Sequence, residues 1–275
     1  MNLKNKRILL TGASGGIGAA IATLLDQQGA ILSLVGRQTD SLNSILESLS
    51  PTIHQIVVAD INSDADREML TGHCAKNAID MLINCAGVLE LQSFDQQDPQ
   101  SIDNIINTNL LSPMQLCRQL IPVLKAREHA VIVNIGSIFG SIGHPGFTTY
   151  CASKFGLRGF TEALQRELAG SSIQVSYLAP RATTTALNSA TVTAMNKALG
   201  NTMDDPKLVA QALLMLLKKN QLQRYMGWPE RLFVKVNGLL PSVVAKALIK
   251  NLPIINQSIN QQNKSEGLCH EYSLN

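Results

Sequence analysis

The sequence predicts an α/β protein: one doubly wound parallel sheet of about seven strands, helices on both faces, and a helical extension at the C-terminus. Three observations predict it. Short apolar runs alternate with longer stretches of helical periodicity. Most of those runs are apolar throughout, as strands covered on both faces require. A glycine-rich turn joins the first run to the first helical stretch, as in folds that bind a ligand at a strand-to-helix turn. Strand–helix repetition of this kind gives a parallel sheet with right-handed crossovers.

The elements follow in chain order. Arg7–Thr11 (RILLT) is the first strand, and Gly16–Gln28 the helix after the turn. Ile31–Gly36 and Asp40–Leu49 repeat the pair, and Ile53–Ala59 with Ser63–Ala75 repeat it again. Met81–Asn84 is a short apolar strand, followed by a long helical stretch over Pro99–Arg127. Ala130–Ile135 and Ile173–Leu178 are strands on either side of the helical stretch Thr149–Ala169, and Asp204–Lys218 is a further helix. No linker precedes about residue 220, so residues 1–228 read as one domain. Residues 229–257 read as an amphipathic extension, and the polar residues 258–275 as a disordered tail.

Composition bounds the function. The 275 residues are 45% hydrophobic and 16% charged, which supplies a core and argues against global disorder. A net charge of +3 is too mild to call for a nucleic-acid partner. Cys74, Cys85, Cys117, Cys151 and Cys269 form no CxxC or Cys/His pattern, so they read as reduced thiols and no metal site is expected. MNLKNKRILLTG lacks a secretory signal's long apolar region, and no apolar run reaches bilayer-spanning length. A cytoplasmic protein is expected.

Thr11–Gly18 reads TGASGGIG, a GxxxGxG spacing at the end of the first strand. Glycines permit the tight turn and close backbone approach, and the following helix offers free N–H groups to a pyrophosphate. Gly12, Ser14, Gly15, Gly16, Ile17 and Gly18 are therefore candidate dinucleotide contacts. No GxxxxGK[ST] is present, which disfavours a P-loop nucleotidase. The second strand ends in Gly36 and Arg37, with no carboxylate before Asp40. Arg37 suits a 2′-phosphate, so NADP(H) is preferred over NAD(H). Asp60 and Ile61, after the third strand, are candidates for the adenine; a helix cap is the plainer role for Asp60.

Asn84-Cys85-Ala86-Gly87, Asn109, Ser137 and Tyr150-Cys-Ala-Ser-Lys154 follow in order. With TGASGGIG they make residues 5–228 resemble the classical short-chain dehydrogenase/reductase family, whose domain is a Rossmann fold. The resemblance implies that Thr11–Gly18 is the coenzyme loop, and that Asn84, Ala86 and Gly87 support the sheet and the adenosine ribose, Cys85 replacing the family's second Asn. It implies that Asn109, Ser137, Tyr150 and Lys154 are catalytic: Asn109 holds a water, Ser137 holds the substrate oxygen, Tyr150 exchanges the proton, and Lys154 binds the nicotinamide ribose. Tyr150 and Lys154 share a helix face, and a nearby ammonium with the oxidised nicotinamide favours the phenolate. After the sixth strand, LAPRATTT places Arg181 where the family has Gly. Pro180, Arg181, Thr183 and Thr185 are candidate coenzyme contacts, Thr185 for the carboxamide. Either the turn needs no positive φ at Arg181, or Arg181 meets coenzyme phosphate or an acidic substrate; a structural Arg is the simpler reading.

The expected function is NADPH-dependent reduction of a lipophilic ketone or aldehyde, a 3-oxoacyl compound included, with Ser137, Phe139, His144, Phe147 and Leu187 against the substrate. The competing readings are alcohol oxidation by the same site, a non-catalytic dinucleotide sensor, and an extended-type epimerase; filled catalytic positions disfavour the sensor, and loop spacing disfavours the epimerase. A homodimer or homotetramer is expected from the resemblance. Residues 231–252 carry Arg231, Lys235, Lys246 and Lys250 with no acid. They read as a lid, an interface, part of the core, or a peripheral contact with the inner face of a membrane.

Overall fold

In the computed structural model, residues 1–51 and 53–265 are described. The order is β1 Arg7–Thr11, α1 Gly16–Gln27, β2 Ile31–Gly36, α2 Thr39–Glu47, β3 Gln55–Val58, α3 Asp64–Lys76, β4 Met81–Asn84, α4 Pro99–Ile106, α5 Ser112–Lys125, β5 Ala130–Ile135 and α6 Thr148–Glu167. It continues with β6 Ile173–Ala179, α7 Ala190–Ala198, α8 Pro206–Lys218, β7 Gln223–Tyr225, α9 Glu230–Leu239, α10 Pro241–Ile249 and α11 Leu252–Ser265. The strands form one parallel sheet in the order β3-β2-β1-β4-β5-β6-β7. Leu10 of β1 pairs with Leu34 of β2 on one side and Ile83 of β4 on the other.

Alternation within the strands builds two cores. Ile8 and Leu10 pack with α1 and α8 on one face, while Leu9 packs with α3 and α5 on the other. Strands buried on both faces have no polar side to show, which is why their runs are apolar throughout. The chain reverses its direction of travel between β1 and β4, and such sheets open a crevice at the strands' carboxyl ends there.

Several elements differ from the sequence reading, and two of them bear on the site. Pro99–Arg127 is interrupted: α4 and α5 are joined by a π-helical turn, Asn107–Leu111. The wider turn rotates the residues that follow and carries Asn109 to a fully buried position. The second difference is the C-terminus, where residues 258–265 are helical rather than a disordered tail. Ile255 and Ile259, one turn apart, are buried against Leu91, Phe147 and Met195, and Gln92 donates to Asn263 at 2.8 Å. A one-sided apolar stripe is enough to order a segment whose average composition is polar. Residues 266–275, with Cys269, lie outside the described residues.

Candidate active site

The loops after β1 through β5 converge on a cleft of about 350 Å³. Gly12, with φ +65°, makes the turn after β1, and a Cβ there would lie 2.7 Å from the Ala86 backbone. Only glycine permits the β1 and β4 turns to approach so closely. The Thr11 hydroxyl accepts from the Cys85 and Ala86 N–H groups at 3.1 and 3.3 Å, fastening the two turns together. α1 starts at Gly15 without a side-chain cap. Its first N–H groups thus keep the capacity to meet an anion.

Ser14, Gly15, Gly16, Ile17 and Gly18 line this cleft with Arg37, Asp60, Ile61, Ala86, Gly87, Tyr150, Lys154, Thr185 and Leu187. The residues present fit a dinucleotide: a glycine cradle, an uncapped helix start, and a cation, Arg37, at the end of β2. Asn62 and Thr108 also line it and escaped the sequence reading. Asn62 donates to the Thr108 hydroxyl at 2.9 Å and accepts from the Ser112 hydroxyl at 2.6 Å, tying the β3 loop to the π turn. Nothing in the local sequence marks that contact, which spans 46 residues.

Asn84 serves the sheet and does not line the cleft. It stands outside the cleft wall, its side chain turned into the sheet, where it donates to Asn134 at 2.8 Å; Asn134 in turn donates to Thr161 at 2.9 Å. A chain of buried polar groups satisfied in this way braces β4, β5 and α6.

Asn109, Ser137, Tyr150 and Lys154 come together at the carboxyl ends of β4 and β5. Asn109 donates to the Val88 carbonyl and accepts from the Val88 N–H, both at 2.8 Å, and donates to Ser153 at 3.1 Å. A Cβ on Gly87 would sit 3.2 Å from Asn109 Oδ1 and 3.6 Å from Lys154 Nζ, so these groups meet around one point. Lys154 Nζ donates to the Ile135 carbonyl at 3.2 Å and stands 5.7 Å from the centre of the Tyr150 ring. Burial pushes the Tyr150 hydroxyl up to about 12, against the pull of the Ser137 side chain. Burial also brings Lys154 down to about 8, partly offset by the Cys85 thiol. In the chain alone, desolvation therefore outweighs the ammonium that was expected to lower Tyr150. Tyr150 keeps its proton through neutral pH.

Comparisons with known proteins match this arrangement. The sequence profile of the family described as short chain dehydrogenase matches residues 6–196. This chain belongs to the short-chain dehydrogenase family. Nodulation protein G of Rhizobium sp. (strain N33) is 36% identical over 181 residues, 65% of this chain and 73% of that protein. The 3-oxoacyl-acyl-carrier-protein reductase FabG of Vibrio harveyi is 32% identical over 225 residues, 78% of this chain and 91% of that protein. A short-chain dehydrogenase from Sphingobium yanoikuyae, solved in complex with NADPH, superposes with a TM-score of 0.74 at 25% identity, covering 89% of this chain and 95% of that one. As a short-chain dehydrogenase, the protein is an NAD(P)-dependent oxidoreductase.

Within this dehydrogenase, Tyr177 holds the segment that carries Ser137, a role the sequence did not disclose. Tyr177 is fully buried; its hydroxyl donates to the Ser137 carbonyl and accepts from the Ser137 N–H, both at 3.3 Å. A Cβ on Gly136 would lie 2.1 Å from that ring, so glycine makes the room. The signal was weak: a lone Tyr in an apolar strand. Replacing Tyr177 by Phe leaves both Ser137 backbone groups without that partner, at about 1–2 kcal/mol. We expect Tyr177→Phe to lower kcat about tenfold with the coenzyme Kd nearly unchanged. Steady-state kinetics beside a coenzyme titration checks this, and an unchanged kcat would show that Tyr177 only fills space.

Arg181 does not stand on the coenzyme cleft. Its guanidinium donates to Asp204 at 2.7 Å and to Glu230 at 3.2 Å, the structural kind of role that the sequence favoured as the simpler reading over a phosphate contact. The hydrogen bond to Asp204, ahead of the other contacts, raises its already high pKa. The turn needs no left-handed residue at 181, since the positive-φ residues other than glycine are Asn5, Ala78 and Asn220. Arg181 therefore fastens the loop after β6 to the start of α9. Pro180 and Thr183 likewise stand outside the coenzyme cleft, on an adjoining cavity of about 300 Å³. Pro180 accepts from the Ile138 N–H at 2.9 Å.

That second cavity shares Gly136, Tyr150, Thr185 and Leu187 with the first and includes Ser137, Phe139, His144 and Phe147. His144 is buried and stacks on Phe139 with ring centres 4.8 Å apart. Burial lowers its pKa, and its Nδ1–H donates to the Pro145 carbonyl at 2.7 Å. A buried, neutral imidazole extends an aromatic wall instead of offering a charge.

Proposed function

We propose that the protein is an NADPH-dependent reductase of a lipophilic ketone or aldehyde, with 3-oxoacyl compounds as the leading substrate class. One observation carries the reading: Tyr150 stands where a cleft with a glycine cradle meets a largely apolar cavity, and Ser137 lines that second cavity beside it. When bound, the nicotinamide supplies the hydride. Ser137 orients the substrate oxygen toward Tyr150. Tyr150, protonated through neutral pH, gives its proton to that oxygen as negative charge develops there. The Lys154 cation stabilises the phenolate left behind and holds the ribose side of the cleft. Asn109 keeps the Val88 loop and Ser153 in place and connects Lys154 to a path for proton return. Arg37 supports the preference for the 2′-phosphate form. The similarity to a 3-oxoacyl-acyl-carrier-protein reductase over 91% of its length supports the substrate class. Exposed Leu111 of the π turn, Met114 of α5 and Phe155 of α6 give apolar surface of the kind a homodimer buries.

Fluorescence titration with NADPH and NADH in parallel, followed by turnover with ketones and 3-oxoacyl thioesters, tests the proposal. Tight NADPH binding with turnover supports it, and no binding of either coenzyme defeats it. The pH profile adds a sign. Lys154 is a cation below about 8 and neutral above it, so kcat/KM for reduction should hold through neutral pH and fall as pH rises past about 8. Tyr150, which keeps its proton to about 12, contributes no loss in that range. A reductive profile that rises past pH 8 would remove the Lys154 cation from the step.

A further inference from the structure

α9 and α10 are thinly packed. α9 has no buried residue, and α10 buries only Val244. Their inner side is nevertheless anchored. Asn237 donates to the Ser141 carbonyl at 2.9 Å, and Val244 packs against Ile138 and Ile142, in the segment that follows Ser137. Along this stretch, from just before α9 to the end of α10, large apolar side chains are open: Trp228 is 71% exposed, Leu239 82%, Leu240 58% and Ile249 59%, with Leu232 and Val243 exposed as well. Soluble proteins seldom leave so many large apolar side chains open along one short stretch without a partner.

The charges on this stretch choose the partner. Arg231, Lys235, Lys246 and Lys250 are all exposed. The single acid between Trp228 and Leu252 is Glu230, and it is engaged by Arg181. Apolar side chains interleaved with cations and no free acid match the boundary of an anionic bilayer, where lipid receives the Leu, Ile and Trp side chains and headgroup phosphates receive the cations. A second copy seated face to face would instead oppose four cations with four cations. We propose that α9 and α10 are the face by which this protein lies on an anionic lipid bilayer. Phe233 and Ala247 of these helices are exposed and also line the second cavity, so the bilayer-facing element is at the same time a wall of that cavity. Resting on the reductase reading, this supplies a lipophilic carbonyl substrate directly from the lipid phase. Among the described residues no helix is long and apolar enough to cross a membrane, so the contact is in the plane of one leaflet.

Co-sedimentation of the full chain with phosphatidylcholine vesicles, and with vesicles of phosphatidylcholine mixed with phosphatidylglycerol, tests the inference. The chain should pellet with the mixed vesicles and much less with phosphatidylcholine alone. A Lys235→Glu, Lys246→Glu, Lys250→Glu variant should bind the mixed vesicles about 100-fold more weakly, each lysine near the surface contributing about a factor of five. Leu239→Asp with Leu240→Asp should weaken binding at least tenfold, given the penalty for charges in the acyl boundary. Absence of pelleting with mixed vesicles, or equal binding by both variants, overturns the inference. So does a self-association that Leu239→Asp abolishes while no vesicle is bound, which would assign the face to a second copy. NADPH titration of each variant should match the parent chain, showing that the fold is intact. Loss of NADPH binding in the parent chain would defeat the reductase reading and leave the vesicle result standing.

Discussion

Tyr150→Phe should abolish turnover, by about a thousandfold or more, while NADPH binding changes little. The substitution removes one oxygen and leaves the ring. Phe139 and Phe147, 6.3 and 6.5 Å from the Tyr150 ring by their centres, keep their packing, so the variant should fold and retain the cleft. What it loses is the proton donor. Ser137 is no replacement, because an aliphatic hydroxyl is a far weaker acid than a phenol. Lys154 stands behind the tyrosine, held at the Ile135 carbonyl. General acid catalysis contributes about 10²–10⁴ in rate, and an unprotonated alkoxide in a desolvated cavity adds a further barrier. Single-turnover kinetics with bound NADPH reads the chemical step directly. Retained activity would mean that the proton comes from water or another group and that the mechanism above is wrong.

Arg37→Asp should reverse the coenzyme preference. Arg37 is exposed at the end of β2 and lines the cleft. Its guanidinium offers paired donors that match a phosphate in geometry and charge. Losing charge-assisted bonds of this kind costs about 1.5–3 kcal/mol, and the new carboxylate adds repulsion toward a 2′-phosphate while accepting from a ribose 2′-hydroxyl. NADPH affinity should fall about 100-fold and NADH affinity should hold or rise. Parallel fluorescence titrations measure both. Equal losses for the two coenzymes would remove Arg37 from 2′-phosphate recognition and assign it to general electrostatics.

Some elements were legible because their cause is local. β1, β2, β4 and β5 occupy the ranges that their apolar runs predicted, since a strand buried on both faces favours apolar residues along its whole length. β3 is shorter than predicted, Gln55–Val58 instead of Ile53–Ala59, and Ile53 is exposed. β7, three residues long, had no apolar run to announce it. Its backbone pairs with β6 while its side chains are partly solvated, so its existence depends on the neighbouring strand. The break in the Pro99–Arg127 stretch was nearly as hidden. Its one local mark is Pro113, two residues past the π turn, which has no N–H to give to the Asn109 carbonyl; the buried contacts of Asn109 add to it.

The sequence by itself determined the alternation that makes the sheet, the glycine turn after β1, and the chain order of the residues that identify the family. Those are properties of short stretches, where periodicity, backbone freedom and motif spacing act over a few residues. The tertiary structure alone decided that Arg181 pairs with Asp204 and Glu230, that Tyr177 braces Ser137 from 40 residues away, that Asn62 joins the π turn, and that Ile255 and Ile259 order a polar helix. Each is a contact between segments distant in sequence, and its energy comes from burial or charge pairing that exists only once the chain has folded. For the same reason the exposed apolar face of α9 and α10 became visible only in the fold: the pattern of its residues permits a buried helix pair, and packing left it open.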